Sequence, residues 1–172
     1  ALAQKNYGTE SLKTYHKPAY PGCSIGHARV TAGTFGAIVS RKYAILEGKR
    51  HEVTGSITKS FARLLSHFNI ATVEERYILS NNHVIANCND AKADDLIYQP
   101  GRHDGGNQVI AHLFEFVPIQ WEKPNHVDCA IAKTLNEPYN VTAEGYDIEM
   151  GNTPKVGKAK VGMNVHKVGR TT

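Results

Sequence analysis

Cysteine is scarce in this chain: Cys23, Cys88 and Cys129 are the only three in 172 residues. No two are spaced C-x-x-C, so neither a zinc knuckle nor a disulfide framework is written here. One disulfide with a thiol left over stays open beside three reduced thiols. The odd count favours a reducing, cytoplasmic location. No apolar run approaches the roughly 18 residues that a membrane span needs, so no membrane partner is expected. The start, Ala1-Leu2-Ala3-Gln4-Lys5, lacks the basic and apolar regions of a signal peptide. Charge of one sign is also missing in bulk. The net charge is +4, and the Lys and Arg residues are scattered, with only the pairs Arg41-Lys42 and Lys49-Arg50 adjacent. A nucleic-acid binder shows a denser basic stripe with aromatics between. Nucleic acid is therefore not an expected partner, and both pairs read as solvated loops.

What is present is ordinary for one folded domain: 41% hydrophobic and 21% charged residues. Residues 1–21 are polar, without period, and read as an arm that packs loosely, with a short helix at 9–15. Short apolar runs bounded by turn formers then follow, at 23–29, 33–39, 43–46, 76–80, 96–99, 109–116 and 126–133. Such a series indicates an all-β barrel or sandwich. One stretch breaks the pattern. Ile57, Phe61, Leu64, Leu65 and Phe68 recur at spacings of three and four, which predicts an amphipathic helix over 56–70 inserted between strands. Residues 134–160 are rich in Gly and Pro and read as a crossover. Val161 to Val168 reads as a new strand.

Two residues carry the chemistry. His83 lies where the strand Tyr77-Ile78-Leu79-Ser80 gives way, through Asn81-Asn82, to a helical turn, His83-Val84-Ile85-Ala86. Asp128 opens the apolar strand Cys129-Ala130-Ile131-Ala132. A carboxylate at the lip of a core strand is half buried and needs a donor. An imidazole N–H is a natural one. Imidazole is also the side chain suited to taking and returning a proton near neutral pH. Asn82 reads equally as a plain turn residue or as one that orients the loop by side-chain bonds. Cys129 reads as a small apolar residue and Cys88 as too far past the turn to serve as a nucleophile. His103-Asp104 and His126 with Asp128 read as exposed loop residues, and His27, His112 and His166 as strand residues without a special role. No metal or cofactor is expected. Asn140-Val141-Thr142 matches a glycosylation acceptor by chance.

The segment Leu79-Ser80-Asn81-Asn82-His83-Val84 resembles the trypsin-like motif written leucine-threonine-alanine-alanine-histidine, or asparagine-alanine-histidine-valine in bacterial members. Gly33-Thr34-Phe35-Gly36-Ala37-Ile38-Val39 looks like the strand before that motif. Val127-Asp128-Cys129-Ala130-Ile131-Ala132 resembles the family's aspartate-isoleucine-alanine-leucine strand. Val165 to Thr172 resembles the first strand of the second barrel. The resemblance is to bacterial and phage-type trypsin-like serine peptidases, of chymotrypsin fold, and covers residues 22–172.

It implies an N-terminal arm over 1–21, a chymotrypsin-like antiparallel β-barrel over 22–140 with an inserted helix, and a crossover with the start of a second barrel over 141–172. His83 would be the general base and acid and Asp128 its orienting partner, acting on a protein or peptide substrate. The family's glycine-aspartate-serine-glycine nucleophile motif is missing: Ser11, Ser24, Ser40, Ser56, Ser60, Ser66 and Ser80 all lie in other settings. The nucleophile is therefore expected in a C-terminal segment, on the same or a separate chain. The chain alone is expected to be inactive, and its end within a strand-like motif is expected to be a truncation. The alternative is a non-catalytic peptidase-fold barrel that binds a protein or peptide.

Overall fold

Alternating apolar residues and tight turns fold this chain into one antiparallel sheet. A computed structural model describes residues 9–30, 32–53, 65, 67–68, 70–135, 141, 157–164 and 168–171. The strands are β1 (Ser24–His27), β2 (Gly33–Thr34), β3 (Ala37–Leu46), β4 (Lys49–Glu52), β5 (Ala71–Ser80), β6 (Leu96–Gln99), β7 (Gln108–Phe116) and β8 (Ala130–Thr134). A short helix, α1 (Asn82–Ile85), joins them, with 3-10 turns at Thr9–Lys13, Asn87–Asn89 and Arg102–Asp104, and Leu65 and His67 are also helical. No described helix is long and apolar enough to cross a membrane.

The sheet order is β2-β1-β6-β7-β8-β5-β3-β4. Its topology follows from one run of chain. β2 and β3 are separated only by Phe35 and Gly36, yet β2 pairs with β1 and β3 pairs with β5. Phe35 N–H donates to the Cys23 carbonyl at 2.9 Å, and Gly36 N–H donates to the Leu79 carbonyl at 3.0 Å. The same stretch thus belongs to both ends of the β1-to-β3 order, and the sheet curls into a barrel. Phe35, Ile25, Ile78, Ile97, Ile110 and Leu113 fill it. Burial of each such side chain stabilises the fold by roughly 1.5–3 kcal/mol.

Several expectations are corrected. The runs 33–39 and 43–46 are not two strands split by a loop. Arg41 and Lys42 lie inside β3, because β3 continues past the barrel as a ribbon with β4 and the first half of β5. There Arg41 meets Glu115 at 2.7 Å, Lys42 meets Glu74 at 3.5 Å and Arg50 meets Glu75 at 2.6 Å, so charge suits both faces. Lys49-Arg50 is likewise strand. A two-residue turn at Glu47-Gly48, with φ of 50° and 73°, folds β4 back on β3.

The arm is not loose over its described part. Leu12 and Ala19 are buried, and the buried Gln99 carboxamide donates to the Thr14 carbonyl at 3.0 Å and accepts the His16 N–H at 3.1 Å. Its expected helix is the 3-10 turn at Thr9–Lys13. Of the 56–70 helix only residues 65, 67, 68 and 70 are described, and the rest lies outside. The strand expected at 161–168 is a turn at residues 161–162 followed by irregular chain to 164, with Val161 fully exposed and Gly162 at φ 83°; residues 165–167 lie outside the described ones.

On the outer face of β5 a polar cluster covers Tyr77. The Glu75 carboxylate, only 9% exposed, accepts from Lys133 Nζ at 2.7 Å, Arg50 at 2.6 Å and the Tyr77 hydroxyl at 2.7 Å. The Lys133 bond, outweighing burial and joined by those from Tyr77 and Arg50, holds the Glu75 carboxyl down at about 2. A carboxyl depressed on folding contributes stability that is whole above its unfolded value, roughly 4.3, and is lost as pH falls through its folded one. Acid unfolding should therefore steepen between about pH 4 and about pH 2. Glu75→Gln should flatten that slope and cost about 1–3 kcal/mol at neutral pH. Urea unfolding of both proteins across the acid range measures this; parallel curves would contradict it.

Candidate functional site

The antiparallel pairing of β5 with β8 sets the end of β5 beside the start of β8, with Ser80 opposite Ala130. The chain leaves β5 into α1 and enters β8 from the loop 117–129, so the two residues singled out by sequence face each other across this seam. His83 Nδ1 is hydrogen-bonded to Asp128 Oδ2. The His83 amide reaches Asp128 Oδ1 at 3.4 Å. Asn81 Nδ2 donates to the Asp128 carbonyl at 3.1 Å and reaches Oδ2 at 3.4 Å.

Asp128 is 31% exposed, the half-buried setting expected of it, and His83 is 54% exposed. Burial alone would raise the Asp128 carboxyl; the His83 side chain and the His83 and Asn82 amides together overcome this and hold it below the usual carboxylate range. An ionised carboxylate only accepts, so the proton of the pair sits on Nδ1. Nε2, on the opposite edge of the ring, bonds no described residue, and the side chain is more than half exposed. This is the arrangement of an oriented proton acceptor.

α1 is held at its underside by close packing. A Cβ on Gly33 would lie 2.3 Å from Val84 Cγ2, so only glycine lets β2 approach the residue after His83. Ser80 Oγ donates to the Thr34 carbonyl at 2.8 Å, tying β5 to the same point. Asn82 is fully buried and bonds across to the loop, which decides between its two readings in favour of an orienting role.

A second pair, His27 with Asp95 at 3.1 Å, is a useful contrast. His27 is buried, and its Nδ1 accepts the Arg29 N–H at 3.1 Å. Both ring nitrogens are therefore used and neither is reachable. The Lys92 amide and then His27 hold the Asp95 carboxyl low. This pair ties β1 to the start of β6 and has no free base. Sequence reading gave His27 no special role and missed Asp95.

It also misjudged Asp104, whose side chain is 7% exposed. Asp104 accepts from the buried Ser24 hydroxyl at 2.5 Å and from Arg170 Nε and Nη2, both at 2.5 Å. The Arg170 amide donates to Thr34 Oγ1 at 3.0 Å. Residues 168–171 are thus anchored one residue from Gly33, against which Val84 packs. No sequence signal links positions 104 and 170. His103 is exposed, as expected.

Cys23, Cys88 and Cys129 are free. Burial pushes the Cys23 thiol up to about 12, which makes it inert at neutral pH. Cys129 is only half-buried, not the packed apolar residue expected. No group of three or more His, Cys, Asp or Glu able to hold a metal ion occurs among the described residues. His112 Nδ1 meets the Asp94 carbonyl at 3.2 Å, while His166 and all of 140–142 but Val141 lie outside the described residues. No family model, curated protein or solved structure matches the chain.

Two outcomes follow. Asp128→Asn should offer a donor in place of the acceptor and turn His83 to the Nε2–H tautomer, as ring ¹⁵N shifts would report; a retained Nδ1–H form would show that Asp128 does not set the ring. Asp104→Ala should remove the carboxylate that the Ser24 hydroxyl and the Arg170 side chain share and loosen residues 168–171, a loss of about 3–5 kcal/mol of local stability at most. Hydrogen exchange at the Arg170 amide should then quicken, with the β5 amides unchanged.

Proposed function

We propose that this chain is the His- and Asp-bearing part of a trypsin-like serine endopeptidase, a chymotrypsin-like barrel whose nucleophilic serine comes from a further C-terminal segment. The observation that carries this reading is the His83–Asp128 pair, with Nδ1 bound to the carboxylate and Nε2 bonded to no described residue on a half-exposed imidazole. The curled antiparallel sheet supports the barrel part of it. The Arg170 contacts with Asp104 and Thr34 keep residues 168–171 near Gly33, beside the His83 turn.

In this reading His83 Nε2 takes the proton from the serine hydroxyl as the oxygen attacks the peptide carbonyl. His83 then returns that proton to the leaving amine. Asp128 stays ionised throughout, holds the ring in one tautomer, and stabilises the imidazolium while it exists. The two amides that stabilise the oxyanion would come from the serine-bearing segment, along with the pocket that selects the substrate side chain. No cofactor enters these steps. The substrate is a protein or peptide.

The test is to express the reading frame with its continuation past Thr172 and assay peptide hydrolysis together with labelling by a fluorophosphonate. Hydrolysis and serine labelling are expected, and His83→Ala should lower kcat by roughly 10⁴-fold or more while substrate binding persists. An unchanged rate in His83→Ala would remove His83 from the mechanism. A continuation with neither hydrolysis nor labelling would leave a peptidase-fold barrel that binds a protein or peptide without cutting it.

A further inference from the structure

Between His83 and Asp128 runs a second connection, hidden beneath the first. Asn82 is fully buried. Its Nδ2 donates to Asn89 Oδ1 and to the Val117 carbonyl, each at 2.8 Å, and its Oδ1 accepts the Asn89 N–H at 3.1 Å. Asn89 in turn donates from Nδ2 to the Ile119 carbonyl at 2.8 Å and accepts the Ile119 N–H on Oδ1 at 2.8 Å. The Val117 N–H then donates to the Cys129 carbonyl at 3.0 Å. Cys129 follows Asp128, and Asn82 precedes His83. The bonds therefore close a circuit, from His83 through Asn82, Val117 and Cys129 to Asp128 and back to His83.

Only a carboxamide supports this circuit, because it alone offers two donors and an acceptor without charge. The backbone shows what is spent to place it. Asn87, Cys88 and Asn89 have φ of 49°, 55° and 83°, three consecutive non-glycine residues in the left-handed region. Such a run persists only where its surroundings over-determine it, and strain of this kind gathers at functional sites. Here the left-handed turn reverses the chain just after α1 and brings the Asn89 side chain back under Asn82.

We propose that Asn82 and Asn89 are positioning residues for the His83–Asp128 pair. Their relay fixes the spacing between the turn that carries the imidazole and the loop that delivers the carboxylate. The inference rests on the peptidase reading for its purpose, and its physical content is that the relay sets the tautomer and orientation of His83. Neither residue touches the reacting atoms.

The experiment uses the ¹⁵N-labelled chain and long-range ¹H–¹⁵N correlation of the His83 ring. Asn89→Gly removes the carboxamide while keeping a residue at ease with φ of 83°. The amide signals of β5 and β8 should stay native. The ratio of Nδ1–H to Nε2–H forms of His83 should fall roughly tenfold, the loss that weakening a charge-assisted hydrogen bond implies. Glu75→Gln, a loss elsewhere in the same barrel, should leave that ratio as in the parent chain. A native fold with an unchanged ratio in Asn89→Gly would overturn the proposal.

Should Asn89→Gly fail to fold, Asn89→Asp decides. It keeps the shape and the bonds accepted from Asn82 and Ile119 but loses the donor to the Ile119 carbonyl. A lowered ratio there supports the relay and an unchanged one refutes it. A parent chain without the Nδ1–H form would instead defeat the reading of the His83–Asp128 pair itself. The two failures are therefore distinguishable.

Discussion

The structure depends on the sharing of one stretch of chain between two strands of the barrel. Residues 33–46 pair with β1 at their beginning and with β5 afterward, and the change of partner occurs at Phe35-Gly36. Backbone donors that the change would orphan are taken up at once by the Cys23 and Leu79 carbonyls. An orphaned buried amide costs about as much as a lost hydrogen bond. Without that double pairing the end of β5 and the start of β8 would still be neighbours, but β2 would not pack against α1. Gly33 does so by meeting Val84. The support beneath the turn that carries the imidazole thus comes in part from how the barrel shuts.

The His–Asp pairs show how environment divides one chemistry into two uses. His27 and Asp95 satisfy each other completely in a buried setting, and their contribution is structural. His83 and Asp128 satisfy only half of the imidazole and leave the other half in the open. Identity of residues does not distinguish these pairs, and neither does the contact between them. What distinguishes them is the nitrogen left over.

Much of this was legible in the sequence for a physical reason. The strands at 23–29, 76–80, 96–99 and 109–116 carry apolar residues at intervals that only a buried face requires, and the structure has a strand at each. His83 and Asp128 were marked by where they sit, at the ends of apolar runs, and the barrel brings those ends together. What stayed illegible lacks such periodicity. β4 is Lys49-Arg50-His51-Glu52, with no apolar residue at all, and is a strand only because the Glu47-Gly48 turn returns it to β3. Asp104 looks like a loop residue until Arg170 arrives from 66 positions away in sequence. Asn89 carries no local sign of the Ile119 backbone it serves. Each is decided by a long-range partner, and single-sequence patterns record neighbours along the chain rather than across it.

The ribbon of β3, β4 and the outer half of β5 has a thermodynamic character different from the barrel it grows from. Its residues are mostly exposed, and its cross-strand contacts are dominated by pairs such as Arg41–Glu52 and Lys42–Glu74. Exposed pairs of this kind are worth about 0–1 kcal/mol each and fade with added salt. The ribbon can consequently unzip and re-form from the Glu47-Gly48 tip many times within the lifetime of one folded barrel, a fluctuation whose frequency the ionic medium sets.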